Sequence, residues 1–174
     1  MAVQSVEAPA DVRDTALPGY AVAAIREEGR WRCARMAAEA LVDLDAAITE
    51  LRSLRSTGAV LGLLDVDDEF FVIVRPAPAG TRLLLSDATA ALDYDIAAEV
   101  LEKLDADIGP EDLDDADPFE EGDLGLLSDV GLPDAVLGVI ISEYDLYADE
   151  QLGRIAREMG FAEELSAVLD RLDR

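Results

Sequence analysis

Histidine is absent from this chain, and cysteine occurs once, as Cys33. The first absence removes the commonest general acid–base group and the usual partner of a nucleophilic serine or cysteine. The second removes any internal disulfide and any multi-thiolate metal site. Cys33 sits in WRCAR, where a strand would alternate faces, and reads as a structural, reduced residue. Basic residues are scarce too, 14 against 39 acidic, for a net charge of −25. Affinity for a nucleic-acid backbone is supplied by cations that neutralise phosphates, so direct nucleic-acid binding is not expected. No apolar run approaches the roughly 20 residues of a membrane span, and the opening MAVQSVEAPADVRD has neither the basic start nor the apolar core of a signal. The expectation is a soluble, cytoplasmic protein. Glycine-rich phosphate loops are missing as well: AVLGLL has one glycine and no helix after it.

What is present is 51% hydrophobic content over 174 residues, enough for one compact core with a small helical appendage. The charge is unevenly placed. Residues 1–57 hold 9 acidic and 7 basic side chains, whereas 58–174 hold 30 and 7. The first third could therefore carry local basic patches (Arg26, Arg30, Arg32, Arg35), while the remainder would repel anions and attract a basic partner. The same acidity also serves solubility.

Residues 1–18 lack periodicity and read as a flexible tail. YAVAAIR and RWRCARM flank EEG as a hairpin in which Gly29 supplies the turn. From about Glu39 to Arg55, Leu41, Leu44, Ile48, Leu51 and Leu54 form one helical stripe, which Gly58 would end. Three strands follow, AVLGLLDV, EFFVIVRP and TRLLLSD. The middle one is apolar on both faces and belongs in a sheet interior covered on both sides. Ser86 or Asp87 would cap the next helix, ATAALDYDIAAEVLEKL, with Leu92, Ile96, Val100 and Leu104 to bury. Residues 105–123 contain ten acids and no base, and read as an exposed linker between an α+β core (19–104) and a helical C-terminal subdomain (124–174). That subdomain has three amphipathic stretches, after Pro133, over ADEQLGRIAREM, and over AEELSAVLDRL, with Gly160–Phe161 as a C-cap and its apolar contact. They must close on their own sheet face or on a partner, a second copy included. The fold class is α+β: a mostly antiparallel sheet of about five strands in ββαβββα order, with helices.

The densest carboxylate cluster, Asp65, Asp67, Asp68 and Glu69, lies between two strands. Asp67–Asp68 suits a hairpin tip, because an Asp side chain bonds nearby backbone and tolerates turn angles. As ligands for a hard cation these carboxylates match no calcium loop, and no metal or cofactor is expected. Asp93 and Asp95, or Asp87 beside either, could divide acid and base roles only if partly buried; a solvated helix face is the simpler reading. Of the nine aromatics, Trp31 alone is flanked by cations, and strand alternation sets it opposite both. Tyr144 and Tyr147, near a junction of two helices, suit either core packing or a protein interface.

LGLLDVDDEFFVIVRP, RLLLSDATAALDYDIAAEVLEKL, the acidic segment, DLGLLSDVGLPDAVL and REMGFAEELSAVL together resemble the actinobacterial family of tRNA adenosine deaminase-associated proteins. The resemblance covers about residues 20–172. Its most specific parts are Asp68–Phe71, Leu85–Ala88 and Gly160–Leu165, none of them a catalytic signature. It implies an association, by gene neighbourhood, with the enzyme that converts tRNA adenosine to inosine. That enzyme's chemistry needs zinc held by His and Cys beside a Glu, and this chain lacks the ligands. The expected role is thus a non-enzymatic accessory protein that contacts tRNA adenosine deaminase. Asp67, Asp68, Glu69, Asp87, Tyr144 and Tyr147 are the candidate interaction residues. The alternatives are a metal-dependent hydrolase using Asp65, Asp67, Asp68 or Asp87, and a general acidic interaction module.

Overall fold

The computed structural model describes residues 19–172. The expected tail, 1–18, lies outside them. β1 (Gly19–Glu27) and β2 (Arg30–Arg35) form the first hairpin, turned by Glu28 and Gly29, both with positive φ. This is the two-residue turn geometry whose twist matches that of the flanking strands. β3 (Ala59–Val66), β4 (Phe70–Ala77) and β5 (Gly80–Leu85) follow where the three apolar runs predict them. The sheet is antiparallel throughout and has six strands in the order β2-β1-β3-β4-β5-β6, one more than the sequence indicates. The extra strand is β6 (Glu121–Gly122), in the acidic segment; it pairs with the far edge of β5. The same segment holds a short helix, α3 (Pro110–Leu113), with Leu113 buried, and Phe119, whose carbonyl accepts the Ala88 N–H at 2.7 Å.

Helices cover both faces of the sheet, as the doubly apolar β4 requires. α1 (Leu44–Ser53) and α2 (Asp95–Lys103) bury Leu44, Ile48, Leu51, Ile96 and Val100 against Ile25, Leu64, Phe70 and Val72. α4 (Asp134–Ile141), α5 (Ala148–Met159) and α6 (Ala162–Leu172) bury Leu137, Leu152, Ile155, Phe161 and Val168 against Val22, Leu63, Phe71 and Ile73. The C-terminal helices thus close on their own sheet. Phe70 and Phe71, adjacent in sequence, anchor opposite cores. Each such buried side chain contributes about 1.5–3 kcal/mol relative to exposure.

Two helical spans are shorter than periodicity predicts. The stripe from Glu39 is interrupted because Asp43 is extended and its carboxylate accepts the Ala46 N–H at 3.1 Å; a 3-10 turn, Ala38–Leu41, precedes it. α1 ends at Leu54 rather than at Gly58, which instead sits against β1, where a Cβ would stand 1.6 Å from the Arg26 carbonyl oxygen. Asp87 does cap, accepting the Thr89 N–H at 2.9 Å, but the capped element is a 3-10 turn, Ala88–Leu92. α2 begins afresh after the extended Tyr94, which leaves Leu92 exposed. Among the described residues no helix is long and apolar enough to cross a membrane.

A candidate protein-interaction surface at the acidic end of the sheet

The sheet has two ends, and the sequence candidates gather at one. Asp67 and Asp68 form the β3–β4 turn, with φ of 58° and 56°. Asp tolerates this left-handed region better than most residues because its short side chain bonds locally. The Tyr94 hydroxyl donates to the Asp67 carboxylate, and the Tyr94 ring lies 5.1 Å from Phe70. That hydrogen bond, followed by burial, pushes the Tyr94 hydroxyl up to about 12.

Asp68 ties the turn to α5. Its carboxylate accepts the Asp149 N–H at 3.0 Å, and its carbonyl accepts the Ala148 N–H at 3.4 Å. Both donors belong to the first turn of α5, whose N–H groups have no partner within the helix. Asp65, on the sheet face that the C-terminal helices cover, is 2% exposed, and its Oδ1 accepts the Asp68 N–H at 3.1 Å. Burial, then the charges of Asp68 and Asp149, push its carboxyl up to about 7. Asp149 is raised for like reasons, burial first and Asp68 next. The buried Tyr20 hydroxyl, which has no hydrogen-bond partner among the described residues, is also held high by burial and then by Asp65, Asp149 and Asp68.

Ser86 and Asp87 close the neighbouring corner. The Ser86 Oγ accepts the Phe71 N–H at 2.9 Å, while Ser86 N–H donates to the Phe71 carbonyl at 3.0 Å. Asp87 Oδ1 also accepts the Thr89 hydroxyl at 2.6 Å. Behind this corner the buried Gln151 amide donates to the carbonyls of Ile140, Ile141 and Glu143, each at 3.2 Å, satisfying the C-terminal end of α4.

The two tyrosines are not core residues. Tyr144 is 53% exposed and Tyr147 64% exposed, which leaves the interface and not core packing of the two roles their sequence position allows. Glu69, Asp87 and Tyr144 line a cavity of about 80 Å³ with Pro118, Leu146 and Gln151. Burial, followed by Glu120, Asp87 and Asp117, raises the Tyr144 hydroxyl pKa. Tyr147 precedes α5, and its N–H is held by Glu150 at 2.9 Å. All six candidates therefore share one end of the molecule, as turn or corner carboxylates beside two exposed rings.

As a chemical site the cluster offers little. Asp67 and Asp87 are engaged by Tyr94 and Thr89, Asp65 is buried, and among the described residues no three His, Cys, Asp or Glu side chains are arranged to hold a metal ion. Asp93 and Asp95 are exposed, as on a solvated helix face. Trp31 packs on Phe161 with ring centroids 4.8 Å apart, and Cys33 is half-buried in the same core. No sequence signal marks Asp149 or Tyr20 as neighbours of Asp65. The register of β1 on β3 sets Tyr20 opposite Asp65, and the hydrogen bonds from the start of α5 to Asp68 bring Asp149 beside it.

A family model described as Rv3753c-like tRNA adenosine deaminase-associated protein matches residues 19–162. Protein Rv3753c of Mycobacterium tuberculosis (strain ATCC 25618 / H37Rv) is 80% identical over 156 residues, which is 90% of either chain. No solved structure matches. The chain belongs to the Rv3753c-like tRNA adenosine deaminase-associated protein family.

Proposed function

We infer, from membership in a family described as deaminase-associated, that the chain acts by contact: it docks on tRNA adenosine deaminase through the acidic, tyrosine-bearing end of its sheet. The observation that carries this reading is the exposure of Tyr144 and Tyr147 among the carboxylates of Asp67, Asp68, Glu69 and Asp87. Exposed tyrosines are enriched in protein interfaces, where an amphipathic ring buries large area yet keeps a polar tip. An enzyme that takes tRNA must present cations to its phosphates. A protein of net charge −25 complements such a face and is steered to it at low ionic strength.

The role is non-enzymatic, since the chain lacks histidine, paired thiols and a phosphate-cradling loop, and it is exercised in the cytoplasm where the deaminase meets tRNA. Both proteins co-purify at physiological salt under this reading. The double substitution Tyr144→Ser with Tyr147→Ser should weaken the complex by at least about tenfold, on the order of 1.4 kcal/mol. Absence of a complex even at low salt counts against it. Capture of other host proteins with equal affinity in a strain lacking the deaminase would favour a general interaction module instead.

A further inference from the structure

The opposite end of the sheet carries the reverse charge. Antiparallel register sets Arg26 of β1 against Ala59 of β3, and Arg75 of β4 directly opposite Arg82 of β5. By alternation from Ala24, Ile73 and Leu84, the three arginines share the face that α4, α5 and α6 cover further along. Arg52 reaches the same region from the last turn of α1, where its Nη2 donates to the Thr81 hydroxyl at 3.1 Å and the Ala77 carbonyl at 3.4 Å. The four guanidinium groups line an open cleft of about 880 Å³, with Glu28 and Asp129 as its carboxylates.

Folding accounts for two of these arginines. Like charges directly opposite on neighbouring strands repel, and each has its own counter-ion: Arg75 makes a two-pronged contact with Asp129 at 2.5 and 2.9 Å, and Arg82 meets Asp123 at 2.7 Å. Arg26 and Arg52 form no ion pair among the described residues. Among the described residues the buried Nε of Arg26 has no acceptor, its guanidinium carbon standing 6.0 Å from the Trp31 ring centre, and Arg52 meets only neutral oxygens. A chain with 39 acids and 14 bases thus keeps two uncompensated guanidinium groups at one cleft. The planar fork of donors on each matches phosphate oxygens two at a time.

We propose that this cleft binds a small anion carrying two adjacent phosphate groups, of the nucleoside-diphosphate class, with Arg26 and Arg52 as its charged anchors. The eight residues of β4 separate it from the acidic end by roughly 25 Å, several screening lengths at physiological salt, so a small ligand feels the local positive charge. A long nucleic-acid backbone would run across the acidic remainder and be repelled.

Calorimetric titration of the full chain with pyrophosphate, with ADP and with tRNA, at about 0.15 M salt, tests this. Pyrophosphate and ADP should bind saturably at one site and tRNA should not. Arg52→Gln, whose side chain lies at the surface, should weaken both ligands by at least about tenfold without changing thermal unfolding. Glu28→Gln, which removes a carboxylate from the lining, should tighten them. No saturable binding of either ligand up to about 1 mM, unchanged affinity in a folded Arg52→Gln protein, or binding of tRNA without pyrophosphate would each overturn the proposal.

Discussion

Replacing Asp65 with Asn isolates the folding cost of the acidic end. The Asp65 carboxyl titrates near 7 instead of 3.8, first because it is buried and then because Asp68 and Asp149 face it. A rise of about 3 units corresponds to about 4 kcal/mol at about 1.36 kcal/mol per unit. Solvent at the strand end screens part of this, giving about 2 kcal/mol as the lower figure. Because the folded-state pKa is raised, the folded chain keeps a proton that the unfolded chain releases. This contribution to stability is full below about pH 4, is lost as pH rises to about 7, and stays lost above. Asp65→Asn retains an oxygen for the Asp68 N–H and has no proton to lose. Its stability gain over the parent protein should therefore be larger at pH 8 than at pH 5, by about 1–3 kcal/mol, or roughly 2–12 °C in Tm. Urea unfolding of both proteins at both pH values gives this double difference, in which the general effect of net charge cancels. An equal difference between the two proteins at pH 5 and pH 8 would refute the reasoning.

Three further outcomes test the packing. Ser86→Ala removes the acceptor of the buried Phe71 N–H and should cost about 1–3 kcal/mol in urea unfolding, with the fold retained. Phe161→Ala empties the fully buried site against Trp31 and should cost about 3–5 kcal/mol while shifting tryptophan emission, whereas Tyr144→Ala stays within about 0.5 kcal/mol of the parent. The Cys33 thiol, pushed up to about 12 by burial and then by Glu164, should resist an aromatic disulfide reagent at pH 8 until the chain is unfolded.

The sheet was legible where side-chain period alone decides structure. Phe70 to Val74, apolar at every position, required covers on both faces and has them, and Gly160 ends its helix in the left-handed conformation with Phe161 buried beyond it. Local competition hid other boundaries. Asp43 lies within a helical stripe, yet its carboxylate caps backbone and restarts the helix, and a two-residue strand such as Glu121–Gly122 carries no period to read. The acidic turn at Asp67–Asp68 could be read from turn chemistry, but its ties to Asp149 and Tyr94 could not, because they join residues 81 and 27 apart in sequence. The arginine cleft was hidden for the same reason: Arg26, Arg52, Arg75 and Arg82 come together only through strand register and the placement of α1. Exposure of Tyr144 and Tyr147 depends on a loop between helices, where apolar periodicity gives no direction.

Affinity of the full chain for tRNA adenosine deaminase, followed by fluorescence anisotropy across a salt series, bears most directly on docking by the acidic end. Saturable binding that weakens as salt rises, and falls at least about tenfold further in the Tyr144→Ser, Tyr147→Ser protein, is the expected result. No binding at the lowest salt, or binding indifferent to both salt and the two tyrosines, would contradict it.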